Sequence, residues 1–453
     1  MQTTPSAQPQ GASGTRLRDS TRLQDLVSEE RAHISRRVYV DPEIYELEQE
    51  QLFRRAWLFL AHESEIPASG DYVTRSLAGE PVVVVRGDDD VVRGFLNSCR
   101  HRGMALCRAD KGRMSTMRCP YHGWTYSKAG KLLSVFAPNL YDSAQLRKEE
   151  LGLIPVPRLQ SYKGLIFGSW NPEVPELADY LGNMRFYLDL YLGRTDAGTE
   201  VVGTPQVWDV NTNWKFPTDN FTGDNFHLYS THGFAVELGM LPPDPMSLSY
   251  GHLIRAEGGH VLHVVPGPPD PMFEYFGLPK ELVPHLQRNL SAGQLELAKR
   301  YAFSVGTVFP NLSFMQVMIQ GDPESPPTPF LSLRYWEPTG PTKTRVWSYL
   351  LIDKEASPEY RKASYETYVR TFGPSGIYEQ DDLENWEECT RVNQGKIAQR
   401  YGLHHGMGFH LEPDRSFPGP GDAWSGSYGE RTQLAFYGEW QRWLLHNAPW
   451  VRR

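Results

Sequence analysis

Hydrophobic and polar positions alternate with two different periods along this chain, and the change of period is the first sign of how it is organised. From Asp41 to Arg55 apolar residues (Ile44, Tyr45, Leu47, Leu52, Phe53) recur every three to four positions, and Pro42 stands where a first helical turn tolerates it, which predicts an amphipathic helix. After Trp57 the period shortens. The runs Asp71 to Ser76, Pro81 to Arg86 and Val91 to Asn97 are alternating or wholly apolar and are separated by turn residues, as strands are. Gly87-Asp88-Asp89-Asp90 reads as the hairpin turn between the last two, a solvated turn and not an acidic metal site. Thr125 to Leu133, with Gly130, predicts a further hairpin. This small all-β unit closes near Leu165 to Trp170, and Trp170-Asn171-Pro172 is the expected boundary.

Beyond it the patterns mix. Pro175 to Leu192 is helical in period and Pro205 to Asn213 strand-like. Strand-like runs follow at His260 to Val265, Leu312 to Ile319, Phe330 to Trp336 and Thr344 to Asp353, the last three spaced as in an antiparallel sheet. Glu355 to Phe372 and Asp381 to Tyr401 look helical. Gln433 to Leu445 carries Trp and Tyr at helical spacing, as a core or interface helix would. The fold class expected is therefore α+β. It has a disordered tail over residues 1–35, a helix over 36–55 packing on the larger domain, an all-β domain over 56–172, and a domain over 173–453 with an antiparallel sheet flanked by helices. No repeat at a fixed period is present.

Composition narrows the function. The 453 residues carry 46 basic against 54 acidic side chains, a net charge of −8, and no basic run is interleaved with aromatics, so nucleic-acid binding is not expected. The longest apolar runs, such as Pro81 to Val85, are far shorter than a bilayer span. Met1 to Arg16 has no apolar core and is not a secretory signal. The four cysteines (Cys99, Cys107, Cys119, Cys389) form no disulfide framework, which suits a reducing cytoplasm.

Two of those cysteines change the picture. Cys99-Arg-His101-Arg-Gly103 and Cys119-Pro-Tyr-His122-Gly-Trp124 offer a Cys-x-His and a Cys-x-x-His pair, with seventeen residues between them. Four soft or borderline ligands from two loops can hold a metal, and on ligand count alone a structural zinc ribbon is open. Each clip gives one Cys and one His, the division needed if the thiolates take one iron of a [2Fe-2S] cluster and the imidazoles the other. With these two clips matching residue for residue, the chain resembles the Rieske non-haem iron aromatic-ring-hydroxylating dioxygenases, in their large (α) subunit.

A second constellation lies at Asn220-Phe-Thr-Gly-Asp224-Asn-Phe-His227-Leu-Tyr-Ser-Thr-His232. His227 and His232 are five apart, about 140° round a regular helix, so they share a metal only if the helix is distorted, as in a π-type bulge. The resemblance implies that they do. The family carries Asp-x-x-His-x-x-x-x-His here, and a distant carboxylate completes a two-His-one-carboxylate triad that leaves positions on Fe(II) open for dioxygen. In the segment Thr371 to Trp386 the alignment implies Asp382 as that ligand, with Asp381 the nearest rival. By the same resemblance Asp224 bridges a ligating histidine to a cluster histidine of the neighbouring subunit, Asn220 lies near the iron, and Phe221, Asn225, Leu228, Phe372 and Tyr378 line the substrate pocket.

The chain lacks a Gly-x-Gly-x-x-Gly after a strand, so electrons are expected from a partner, in the family a ferredoxin or reductase. The reaction implied is addition of both atoms of O2 to an aromatic ring as a cis-dihydrodiol, in an α3β3 assembly with a small β subunit. A Rieske monooxygenase or demethylase would use the same metals on another substrate. A zinc-stabilised binding protein, from a different class, would be colourless and would leave the second constellation unexplained.

Overall fold

The computed structural model of the protein describes residues 16–142 and 145–446. In the smaller unit an antiparallel four-stranded sheet runs in the order Val92–Leu96, Glu80–Arg86, Asp71–Leu77, Lys111–Arg113. Val82 to Val85 are all buried, and because successive side chains of a strand point to opposite faces, they serve two cores. Val83 and Val85 pack with Phe95, Cys99, Cys119 and Trp124, whereas Val82 and Val84 join the main core. The turn acids are spoken for: Asp88 pairs with Lys128, Asp89 with Arg93 and Asp90 with Arg86. The hairpin Thr125–Tyr126 with Leu132–Ser134 adds a second small sheet, and Leu58–His62 pairs with Leu165–Ser169 in a third.

The larger unit is built on a nine-stranded antiparallel sheet. Its path is Thr199–Val201, Lys343–Asp353, Thr328–Gly340, Leu312–Ile319, Tyr301–Val308, Val261–Pro266, His252–Arg255 and Asp422–Ser425, with Gln206–Val210 also paired to Lys343–Asp353. Helices Pro358–Phe372, Glu379–Asn393 and Arg431–Leu445 flank it. The first is started by Ser357, whose hydroxyl accepts from the Tyr360 N–H. The last buries Leu434, Phe436, Tyr437, Trp440 and Trp443 and is a core helix. The expected helix over 175–192 is two, Leu177–Leu181 and Met184–Leu192, broken at Gly182 with φ +49°. That over 381–401 ends at Asn393.

Residues 1–15, on which part of the expected tail falls, lie outside the described residues. From residue 16 onward the expectation of disorder is corrected. His33–Ser35 pairs on one side with Val27–Ser28 and on the other with Gly402–His404, and Leu17, Leu23, Leu26 and Ile34 are buried. These apolar residues have no helical or strand period, which is why the pattern hid them. The helix Pro42–Glu48 then anchors on the larger unit. The buried Glu48 carboxylate pairs with Lys215 Nζ at 2.5 Å and accepts from the indoles of Trp214 (3.0 Å) and Trp440 (2.7 Å). Among the described residues, no helix is long and apolar enough to cross a membrane.

Candidate metal centres

The two Cys/His loops share one backbone geometry. The N–H of Cys99 donates to Met104 O (2.9 Å) and that of Cys119 to Trp124 O (2.8 Å), each five residues on. Gly103 and Gly123, four residues after each cysteine, donate back to the cysteine carbonyls from the left-handed region (φ +73° and +70°), where glycine is at ease. The turns bury both thiols and leave both imidazoles partly exposed. The rings of His101 and His122 lie 4.6 Å apart, His101 stacks on Trp124, and His101 Nδ1 has no hydrogen-bond partner. That donor set fits a cluster whose cysteine side faces the core. Arg100 N–H donates to Tyr126 Oη at 3.1 Å, so the tyrosine hydroxyl keeps its own proton for Cys99 Sγ, 3.4 Å away. Cys107, buried nearby, has its thiol pushed up to about 11 by burial and is inert.

The second constellation is assembled from separated elements. Asp224 follows the helix Lys215–Asn220 across an irregular loop in which Gly223 takes φ +135°. His227 precedes the one-turn helix Leu228–Thr231, and His232 ends it at φ −107°, ψ 38° before Gly233–Glu237 begins. The distortion that lets the histidines converge is thus a break at His232, in place of the expected π-type bulge. Asp382 comes from the first turn of Glu379–Asn393, which Arg334 holds by pairing with Glu379 at 3.0 Å in full burial.

Three atoms meet. Nε2 of His227 and of His232 lie 3.5 and 3.4 Å from Asp382 Oδ1, which has no hydrogen-bond partner. One ligand atom from each of the three residues falls within 4.8 Å of the others. The far nitrogens face acceptors: His227 Nδ1 meets Asp224 O and lies 3.6 Å from Asp224 Oδ1, and His232 Nδ1 lies 3.4 Å from Asp381 Oδ2. An acceptor on Nδ1 fixes the tautomer that frees Nε2 for a metal. Asp381 therefore lies behind a histidine while Asp382 lies in front of both. Two imidazoles and a carboxylate around one point are the donor set that suits a divalent iron with open positions.

Both regions match known families. Residues 56–146 match the Rieske [2Fe-2S] domain, and residues 196–446 match the ring hydroxylating alpha subunit (catalytic domain). The biphenyl 2,3-dioxygenase subunit alpha of Rhodococcus jostii is 34% identical over 448 residues, covering 95% of this chain and 92% of that one. The benzene 1,2-dioxygenase subunit alpha of Pseudomonas putida is 34% identical over 445 residues, with 95% of each covered. Naphthalene 1,2-dioxygenase from Rhodococcus sp., solved with indole bound, superposes with a TM-score of 0.91 at 46% identity, covering 94% of this chain and 97% of that one. The chain belongs to the ring-hydroxylating dioxygenase α subunits. It is accordingly an oxidoreductase of the Rieske type, in a family that carries a [2Fe-2S] cluster and a mononuclear iron, and the zinc-protein alternative falls away.

In this α subunit two cavities share Asn220, Asp224, His227 and Asp382. The larger, about 630 Å³, is mostly apolar, and Phe221, Leu228, Phe372 and Tyr378 lie in its wall. Phe372 and Tyr378 stack at 5.5 Å. Asn225 also lines it, but its amide nitrogen is committed to Leu248 O and Ser427 Oγ, both at 3.0 Å, and fastens a loop. The smaller, about 320 Å³, is mixed, with Asp219, Asn385, His405, Glu430 and Gln433 in its wall beside Phe216, Phe226 and Trp386. Asp224 Oδ1 is buried without a partner where they meet. Sequence reasoning missed the sheet side of the larger cavity: His263, Val265, Phe303, Val305, Met315 and Met318. The available signal was the alternation within Val261–Pro266, which puts His263 and Val265 on one face.

Proposed function

We propose that His227, His232 and Asp382 hold the mononuclear iron, that Cys99, His101, Cys119 and His122 hold the cluster, and that the protein cis-dihydroxylates a neutral, flat aromatic bound in the larger cavity. The observation that carries this reading is the position of the triad, where a mostly apolar cavity meets a second one with several charged groups in its wall. When bound, the iron supplies a site for dioxygen and the cluster supplies single electrons. The chain supplies the rest. Its apolar wall receives the ring and excludes water, and among the described residues no lysine or arginine lines the cavity, which disfavours a carboxylated substrate.

Asp224 is the link on the side of the smaller cavity. Its buried Oδ1 faces His227 Nδ1, and because the side chain as a whole stays a quarter exposed, the carboxylate's other oxygen is left to accept from the imidazole of a neighbouring subunit's cluster. This supports a contact between α subunits, and with the family membership we infer an α3β3 assembly fed by a ferredoxin or reductase, in a reducing cytoplasm. Asp224→Asn should keep both metals and lose electron transfer between them; normal turnover in that variant refutes the link, as does full turnover by a verified monomer.

The deciding experiment uses isotopically heavy dioxygen and a panel of mono-, bi- and tricyclic aromatics in cells that supply a small subunit and redox partners. Two heavy oxygens in a dihydrodiol support the proposal. A single heavy oxygen moves the enzyme to the monooxygenase or demethylase reading.

A further inference from the structure

Most polar groups on the wall of the larger cavity already have a task. Asn225 is fastened to Leu248 and Ser427, Gln320 Nε2 donates to Ser325 O, and Asp224 and Asp382 belong to the triad. Two further groups in this wall are buried without a partner, the Tyr378 hydroxyl and His263, and only His263 lacks one at two atoms. It stands on the strand Val261–Pro266, directly across from Leu253 on one side and Val305 on the other, and Val305 in turn faces Met315. Val305, Met315 and Val265 line the same cavity, and the Phe303 ring lies 5.4 Å from the imidazole. An imidazole thus sits in an apolar wall, 2% exposed, and neither of its nitrogens has a hydrogen-bond partner.

Comparison with the other buried histidines among the described residues shows how unusual this is. His62 is held by Ser64 and Thr199, His252 by Asp414 and Tyr301, and His260 by the Tyr180 carbonyl and the Phe309 N–H, each at both nitrogens. His232 belongs to the triad. A buried N–H or ring nitrogen left unmet is destabilising, so its retention points to a partner that arrives with the ligand. Burial keeps the ring neutral, with a pKa of about 3, so it presents one donor and one acceptor.

We propose that His263 hydrogen-bonds a neutral oxygen substituent of the ring substrate, so that the enzyme prefers a hydroxylated aromatic to the bare hydrocarbon of the same size. This rests on the reading of the larger cavity as the substrate site. A hydroxyl answers either nitrogen, and its neutral form suits a cavity that, among the described residues, contains two carboxylates and no lysine or arginine.

The test is anaerobic equilibrium dialysis of the holoenzyme, with cluster and iron loaded and no reductant, against naphthalene and 1-naphthol. The expected result is that 1-naphthol binds at least about tenfold more tightly, because a site built to meet a hydroxyl discriminates against the analogue lacking it. His263→Phe should bring the ratio near one without weakening naphthalene, and His263→Asn, which keeps a donor and an acceptor, should retain part of it. If the phenylalanine variant loses its metals, His263→Leu replaces it. Equal affinities in the unaltered enzyme overturn the proposal, as does a preference that survives in the apolar variant. Because no turnover is read, failure here is separable from failure of the dihydroxylation reading, which the heavy-oxygen products decide on the same preparations.

Discussion

The two candidate metal centres are built in opposite ways. The Cys/His loops are local: two short turns of the same backbone form, each closed by a glycine four residues after its cysteine, with imidazoles toward the surface. The triad draws on residues more than 150 positions apart and depends on a helix break at His232 and on an Arg334–Glu379 pair that seats the Asp382 helix. A local centre tolerates changes elsewhere in the fold; an assembled one transmits them. The first suits a group that only passes electrons, the second a site that must also fit a substrate.

The sharpest way to break this comparison is to remove one centre at a time. His232→Ala should abolish turnover and mononuclear iron while leaving the red-brown spectrum of the cluster, and Cys119→Ser should do the reverse; metal analysis with visible absorption reads both. Loss of both centres in His232→Ala would show that they are not independently built. Asp381→Asn, which weakens the group behind His232 Nδ1, should cost about 10- to 100-fold in iron affinity or activity and leave the cluster untouched.

Acidity separates the centres more gently. In the metal-free protein burial works against the charged form of His227, but the Asp224 and Asp382 carboxylates outweigh it and raise the ring to about 9. A metal needs the neutral ring, so below pH 9 iron uptake at the triad should weaken by about tenfold per pH unit and release a proton. His101, lowered by burial and by the neighbouring His122 and Arg102, adds no such barrier to cluster assembly. Titrations of Fe(II) binding at several pH values check the contrast, and a pH-independent affinity would contradict it. The smallest effect is expected for Tyr126→Phe, which removes one hydrogen bond to Cys99 Sγ and should lower the cluster potential with little change in iron content.

The same contrast governs what was legible in the sequence. The clips were readable because their geometry is local, and the strands over 81–86 and 312–319 because their apolar runs are. His227, His232 and Asp382 were reached through the family resemblance, since spacing alone placed the histidines on different helix faces. The break at His232 was not legible, being a consequence of packing. Nor was the role of Asp381 behind His232: adjacent carboxylates look alike until the ring fixes which one stands in front. His263 lay in Val-Leu-His-Val-Val, a run that reads as an ordinary buried strand, and Leu17 to Ile34 escaped because they bury without any period.

The strand Glu80–Arg86 gives its odd-numbered valines to one core and its even-numbered ones to the other. A single backbone segment is thus a shared wall, and neither core can melt while the other keeps it intact. Scanning calorimetry of the holoprotein should therefore show one cooperative endotherm, and the electron-carrying unit should not survive as a proteolytic fragment.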